Sequence, residues 1–198
     1  MAKIKPFRGL HYSKEKVRDI SQVVTPPYDV IDPQMREEFL KRHPLNIIRL
    51  ILPEDAEAAR ETLISWLREG VFEREEHLSI YPLKQVFSLR GTTYQRWGFV
   101  ALVKLEEEML QGHERTMEHV VEERLRLLKK TGIQTGEIFS LYSDPEGKVE
   151  AILREVEGSE PRFQLTDDEG TVHKLWALKD QGAISFIQKH LSSQKLLI

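Results

Sequence analysis

Apolar and polar positions along this chain recur with two periods, and the switch between them marks the elements. The clearest helical start is Asp32-Pro33. Aspartate accepts hydrogen bonds at an N-cap, and proline suits the first helical position because an N–H there would lack a partner. Lys41 and Arg42 favour the C-terminal end, and Pro44 stops the helix. A second helix fits 54–69, where Ala56, Ala59, Leu63, Trp66 and Leu67 share a face and Gly70 suits the C′ position. Met117, Val120, Val121, Leu125 and Leu128 predict a third helical stripe, ended by Gly132. Val149, Ile152, Leu153 and Val156 recur at helical spacing within 146–156, and a last helix is expected over about 182–192.

Other stretches read as strands. NIIRLIL, 46–52, is a short apolar run with three isoleucines and a proline after it, which predicts a strand. Segments 78–89 and 94–105 flank RGTT and predict a long antiparallel hairpin. Pro82 lacks an N–H and predicts an edge position or a bulge. IFSLYSD, 138–144, reads as a strand, and RFQLTDDEGTVHKLWAL as a second hairpin turning at Asp168-Glu169-Gly170. Residues 1–31 look irregular and extended, and Pro26 and Pro27 stiffen VVTPPYDVI. Hairpins mixed with unrepeated helices predict an α+β fold: a mixed, mainly antiparallel sheet packed by several helices. No repeat or Ser/Gly-rich linker divides the chain, so a single domain over 1–198 is expected.

Composition narrows the function. The 198 residues are 40% hydrophobic and 31% charged, an ordinary globular balance. The absence of cysteine excludes disulfides, thiolate metal sites and a cysteine nucleophile. A net charge of −3 gives no footprint for nucleic acid. MAKIKPFRGL has no apolar signal region, and no apolar run approaches the ~20 residues needed to span a bilayer. A soluble cytoplasmic protein is expected, with neither nucleic acid nor membrane as partner.

Two short motifs carry candidate chemistry. GHERT, 112–116, falls between a predicted strand and a predicted helix. Amides at a helix N-terminus attract anions, and Arg115 can grip a phosphate or carboxylate with two donors. His113 and Glu114 can serve as acid or base, and Thr116 as an N-cap. PPYD holds Tyr28 and Asp29 in a rigid stretch. From spacing alone each motif reads first as a polar turn. His43, His77, His173 and His190 are scattered and read as structural, and no metal site is expected. GVFEREEH, 70–77, reads as a solvated turn, and Trp66, Trp97 and Trp176 as core.

Taken in order, the motifs form a series: IKPFRGL, VVTPPYDVI, NIIRLILPE, WLREGVFEREEHLSIYPLKQVF, GHERTMEHVVEERLRLLKKTG and EIFSLYSDPEGKV. This series resembles domain-of-unknown-function family 1015, over nearly the whole chain. The family looks related to the ParB/sulfiredoxin-like fold, some of whose members bind nucleotides and transfer phosphoryl groups to small molecules, free serine among them. Members commonly run about twice this length, and a histidine-histidine-arginine motif follows where this chain ends. The chain therefore looks like an N-terminal half. Where the family often shows proline-lysine, this chain has Val120 and Val121.

The resemblance implies a nucleotide-dependent phosphotransferase acting on a small phosphorylated metabolite or nucleotide, with ATP or another nucleotide and Mg²⁺. Asp29, His113 and Glu114 would be the catalytic groups. Arg115, Thr116, Tyr28 and Arg8 would bind the nucleotide, with Arg124 a weaker candidate. The chain alone is expected to be inactive without a C-terminal half. The alternative is a non-catalytic ligand-sensing or protein-interaction module, such as a homodimer.

Overall fold

A computed structural model describes residues 3–106, 109–112 and 117–198. Its strands, in chain order, are β1 (Ile4–Lys5), β2 (Leu10–Tyr12), β3 (Phe72–Arg74), β4 (Tyr81–Leu89), β5 (Thr92–Val100), β6 (Leu102–Val103), β7 (Leu110–Gln111), β8 (Phe163–Thr166), β9 (Val172–Leu175) and β10 (Leu196–Leu197). The helices are α1 (Pro33–Arg42), α2 (Ile48–Ile51), α3 (Ala56–Arg68), α4 (Glu118–Thr131), α5 (Lys148–Arg154) and α6 (Gln181–Leu191). The fold is α+β. The chain divides into two compact units: residues 1–9, 75–113 and 138–198 form the first, and 10–74 with 114–137 form the second.

The first unit is built on an antiparallel sheet of order β5-β4-β9-β8. β4 and β5 join through Arg90 and Gly91, both at positive φ (51° and 79°), the hand that matches strand twist in a two-residue turn. Pro82 does not mark an edge. β4 lies between β5 and β9, and Pro82 is fully buried within it. Trp176 N–H donates to the Pro82 carbonyl at 3.0 Å, and the proline ring has no N–H to return. The sheet thus accepts proline at a position where only an acceptor is used. α5 and α6 supply Val149, Leu153, Ile184, Ile187 and Leu191 to a core that includes Ile80. IFSLYSD forms no strand: Leu141 makes one isolated bridge to Leu197. Asp144 within it accepts backbone N–H bonds from Lys148, Val149 and Glu150 at 2.9–3.0 Å, so this segment starts α5 instead. β7 and β10 pair in parallel.

The second unit is mainly helical. α1 begins and ends where the sequence predicts, with the Asp32 carboxylate accepting from Met35 N–H at 2.8 Å. α3 is capped by Asp55, which accepts from Ala58 N–H at 2.8 Å. It closes at Gly70 (φ 68°), where Val71 N–H bonds Trp66 O at 2.8 Å and Gly70 N–H bonds Leu67 O. β2 and β3 pair antiparallel. Tyr12, Leu63, Trp66, Phe72, Leu50 and Leu127 share one core.

The predicted strand at 46–52 is a helical turn. Asn46 decides this from a fully buried position. Its Oδ1 accepts from Ile48 N–H at 3.0 Å, and its Nδ2 donates to Gln22 O at 2.9 Å. Ile47 N–H bonds Val23 O at 2.8 Å. β-Branched residues lose only ~0.7 kcal/mol or less each in a helix, while burying Ile48, Leu50 and Ile51 returns ~1.5–3 kcal/mol apiece. Tertiary burial therefore outweighs propensity.

α4 also departs from expectation. Val120, Arg124, Leu127 and Thr131 form its inner face, with Leu127 buried. Of the predicted stripe, Val120 turns inward, while Met117, Val121, Leu125 and Leu128 lie exposed beside it. Met117 occupies the N-cap position, and the predicted cap Thr116 falls outside the described residues. No helix among the described residues is long and apolar enough to cross a membrane.

Candidate functional site

His113, Glu114, Arg115 and Thr116 lie outside the described residues, so their convergence with Asp29 does too. The other predicted residues fall into two places, one in each unit.

In the second unit, Pro27 (φ −54°, ψ 146°) leads into a single 3-10 turn, Tyr28–Val30. Two successive prolines fix the entry, and Ile31 N–H returns to Tyr28 O. The Arg124 guanidinium lies 4.4 Å from the centroid of the Tyr28 ring. Its Nη1 donates to Ile51 O at 2.6 Å. PPYD and EERL, far apart in sequence, thus meet against the end of α2. Arg124 was expected as an anion partner. Here it packs on the ring, donates to the Ile51 carbonyl and pairs with the neighbouring Glu123, so it positions Tyr28. Asp29 is exposed next to that ring, with no hydrogen bond or ion pair from its side chain to another described residue.

In the first unit, KPFRG closes a tight corner. Phe7 and Ser79 exchange backbone hydrogen bonds at 2.9 and 3.0 Å. Gly9 N–H donates to the Tyr81 hydroxyl at 2.7 Å, and that hydroxyl donates to Phe7 O at 3.1 Å. A Cβ on residue 9 would stand 3.0 Å from the same hydroxyl, a tight approach that the tyrosine would have to yield to, so the corner favours glycine. Burial pushes the Tyr81 phenol up, Glu75 adds to this, and the Gly9 amide and Arg162 oppose it. The phenol therefore stays neutral and can donate and accept at once.

Arg8 projects from this corner. Its Nε donates to the Glu75 carbonyl at 2.7 Å, and Glu75 N–H returns to Gly9 O at 2.8 Å. The Glu75 side chain is only 5% exposed. Arg162 Nη2 stands 3.5 Å from one carboxylate oxygen and Lys179 Nζ 3.4 Å from the other. A sequence that read as a solvated turn thus holds a buried carboxylate. A lone buried carboxylate is costly, and partner cations make it tenable. The Glu75 carboxylate draws in two basic side chains, Arg162 and Lys179, while its main-chain carbonyl holds a third, Arg8. Composition gave no sign of this, because Arg162 and Lys179 lie far along the chain and reach Glu75 only through the fold.

His173 also proves to be more than a scattered histidine. Arg96 Nε donates to Gln85 Oε1 at 2.9 Å, which turns the Gln85 amide group toward His173 Nδ1 at 3.1 Å. His173 Nε2 then carries the proton, facing Asp167 Oδ2 at 2.7 Å. Burial would raise the Asp167 carboxyl. Hydrogen bonds from His173 and the Thr171 amide outweigh that and hold it below its ordinary value. Both ring nitrogens are engaged, so this network locks the β8–β9 hairpin rather than presenting a base.

No curated protein and no solved structure matches the chain. A family profile does: residues 4–198 match a protein of unknown function, DUF1015, so the chain belongs to that family.

Proposed function

We propose that this protein binds a small phosphorylated metabolite or a nucleotide, and that the first unit grips the anion through Arg8 and Lys179 beside Arg162. The observation that carries this reading is the buried Glu75 with three cations gathered on it. A buried carboxylate fixes the directions of neighbouring cations, so they meet an anion without first being ordered. Arg8 suits this role because its Nε is anchored while the side chain reaches solvent. Lys179, about half exposed, supplies a second positive charge.

Phosphoryl transfer is the reaction class that fits such a site, since it depends on positioning and charge neutralisation more than on covalent chemistry. From their motifs alone, we propose Arg115, Thr116 and Tyr28 as nucleotide-binding residues for that reaction, and Asp29, His113 or Glu114 as its base. ATP or another nucleotide with Mg²⁺ is the proposed co-substrate, the metal arriving on its phosphates. Relationship to the ParB/sulfiredoxin-like fold belongs to the same proposal.

The test is thermal unfolding with inorganic phosphate, ATP, ADP and CTP, each with and without Mg²⁺. A ligand at 100 times its Kd stabilises by ~2.7 kcal/mol. Arg8→Ala and Lys179→Ala should each remove most of the shift. Stabilisation by none of these ligands would sink the reading. An unchanged shift in both variants would move the site away from Glu75.

A further inference from the structure

Arg8 offers only one edge of its guanidinium to a ligand. Its Nε is spent on the Glu75 carbonyl at 2.7 Å, while Nη1 and Nη2 make no hydrogen bond to another described residue. Side-on recognition through Nε and one Nη is therefore closed. The end-on edge, with its two parallel N–H groups, is open.

The corner fixes where that edge starts. The Tyr81 hydroxyl accepts the Gly9 N–H at 2.7 Å and donates to Phe7 O at 3.1 Å. One buried side chain thus pins the backbone on both sides of Arg8. Its ring also packs on Phe7, with centroids 4.9 Å apart. A surface arginine loses side-chain freedom on binding, and here part of that loss is already met in the free protein.

Lys179 adds a further donor. Its half-exposed ammonium carries three N–H groups and stands 3.4 Å from Glu75 Oε1. Arg8 and Lys179 are thus anchored on the main-chain and side-chain ends of one residue. Two donors from Arg8 and one from Lys179 match an anion with three oxygens. A carboxylate or a phosphodiester offers two charged oxygens, and a terminal phosphate offers three with a second negative charge.

We infer that Arg8, end-on, and Lys179 read a terminal phosphate, so that the ligand is a phosphomonoester dianion rather than a phosphodiester or a carboxylate, with Tyr81 the positioning residue for Arg8. This rests on the anion site proposed above and narrows its ligand.

Amide NMR titration of the full chain with methyl phosphate, dimethyl phosphate and acetate, at constant ionic strength, tests it. At about pH 7.5 the monoester carries close to two charges and the diester one. Methyl phosphate should bind at least ~10-fold more tightly than either competitor, the worth of one charge-assisted hydrogen bond. Arg8→Lys keeps the charge and removes the fork, and should bring the monoester-to-diester ratio near one. Tyr81→Phe should lower that ratio in the same direction, with circular dichroism confirming that each variant is folded. A purely structural role for Tyr81 would lower stability and leave the ratio intact. Equal binding of monoester and diester overturns the inference, as does a ratio indifferent to Arg8→Lys. If ATP or ADP stabilises the protein while the three probes bind alike, only this inference falls. If nothing in either set binds, the anion site falls with it.

Discussion

The two units of this protein bury different things. The second closes on aromatic rings: Tyr12 and Phe72 lie 4.7 Å apart between centroids, and Trp66 meets Phe72 edge-on at 5.3 Å. Its buried Asn46 bonds backbone groups. The first unit has an aliphatic core beneath its sheet, yet it also buries the carboxylate of Glu75 among cations. Apolar packing stabilises without asking for exact partners. A buried ion cluster contributes little net stability for its desolvation, and apolar replacements are often as stable. A fold that keeps one is better explained by use than by stability, which is why the proposed site is placed there.

The contrast can be tested in order of effect. Trp66→Ala removes the centre of the aromatic core and should destabilise the protein by ~3–5 kcal/mol in urea unfolding. A loss below ~1 kcal/mol would mean the rings do not hold this unit together. Leu127→Ala should lose ~2–5 kcal/mol, whereas Leu125→Ala should stay within ~0.5 kcal/mol, for residues two apart on one helix. Equal losses would show that the face of α4 is assigned wrongly. Glu75→Gln keeps the shape and removes the charge. It should lower stability by only ~1–3 kcal/mol, because Arg162 and Lys179 retain access to water, while it disturbs anion binding more.

The smallest effect concerns pH. The folded Asp167 carboxyl lies below its unfolded value near 3.9, so its contribution is complete above that value. It is lost as pH falls below ~4 through the depressed folded value. Acid unfolding of His173→Ala should therefore show a shallower loss of stability over that range. An identical acid limb would remove the hydrogen-bonded network from the account.

Elements defined by local chemistry were legible. α1 needed only Asp32, Pro33 and Pro44, and α3 only its apolar face and Gly70, because caps and stops act within a few residues. The β4–β5 hairpin was legible from its turn for the same reason. Errors arose where a distant partner decided. NIIRLIL carries strand-like residues, but Gln22 and Val23 tie it into a helical turn. Pro82 looked like an edge or bulge residue until Trp176, just past β9, presented a donor and no demand for one. The α4 stripe was legible as the apolar side of a helix, but periodicity does not show which part of that side is covered.

For the site, the sequence picked out Arg8 and Tyr28 by their motifs but not their companions. Glu75 looked like one acid among several, and only the fold places Arg162 and Lys179 on it. Arg124 looked like an anion ligand, and only the fold places it on the Tyr28 ring. The sequence by itself determined the α+β class, the helix limits set by caps and the hairpin turns, since those energies are local. The tertiary structure alone decided which polar groups are buried and what faces them. Burial and ion pairing depend on residues brought together from distant parts of the chain, and no local pattern records that.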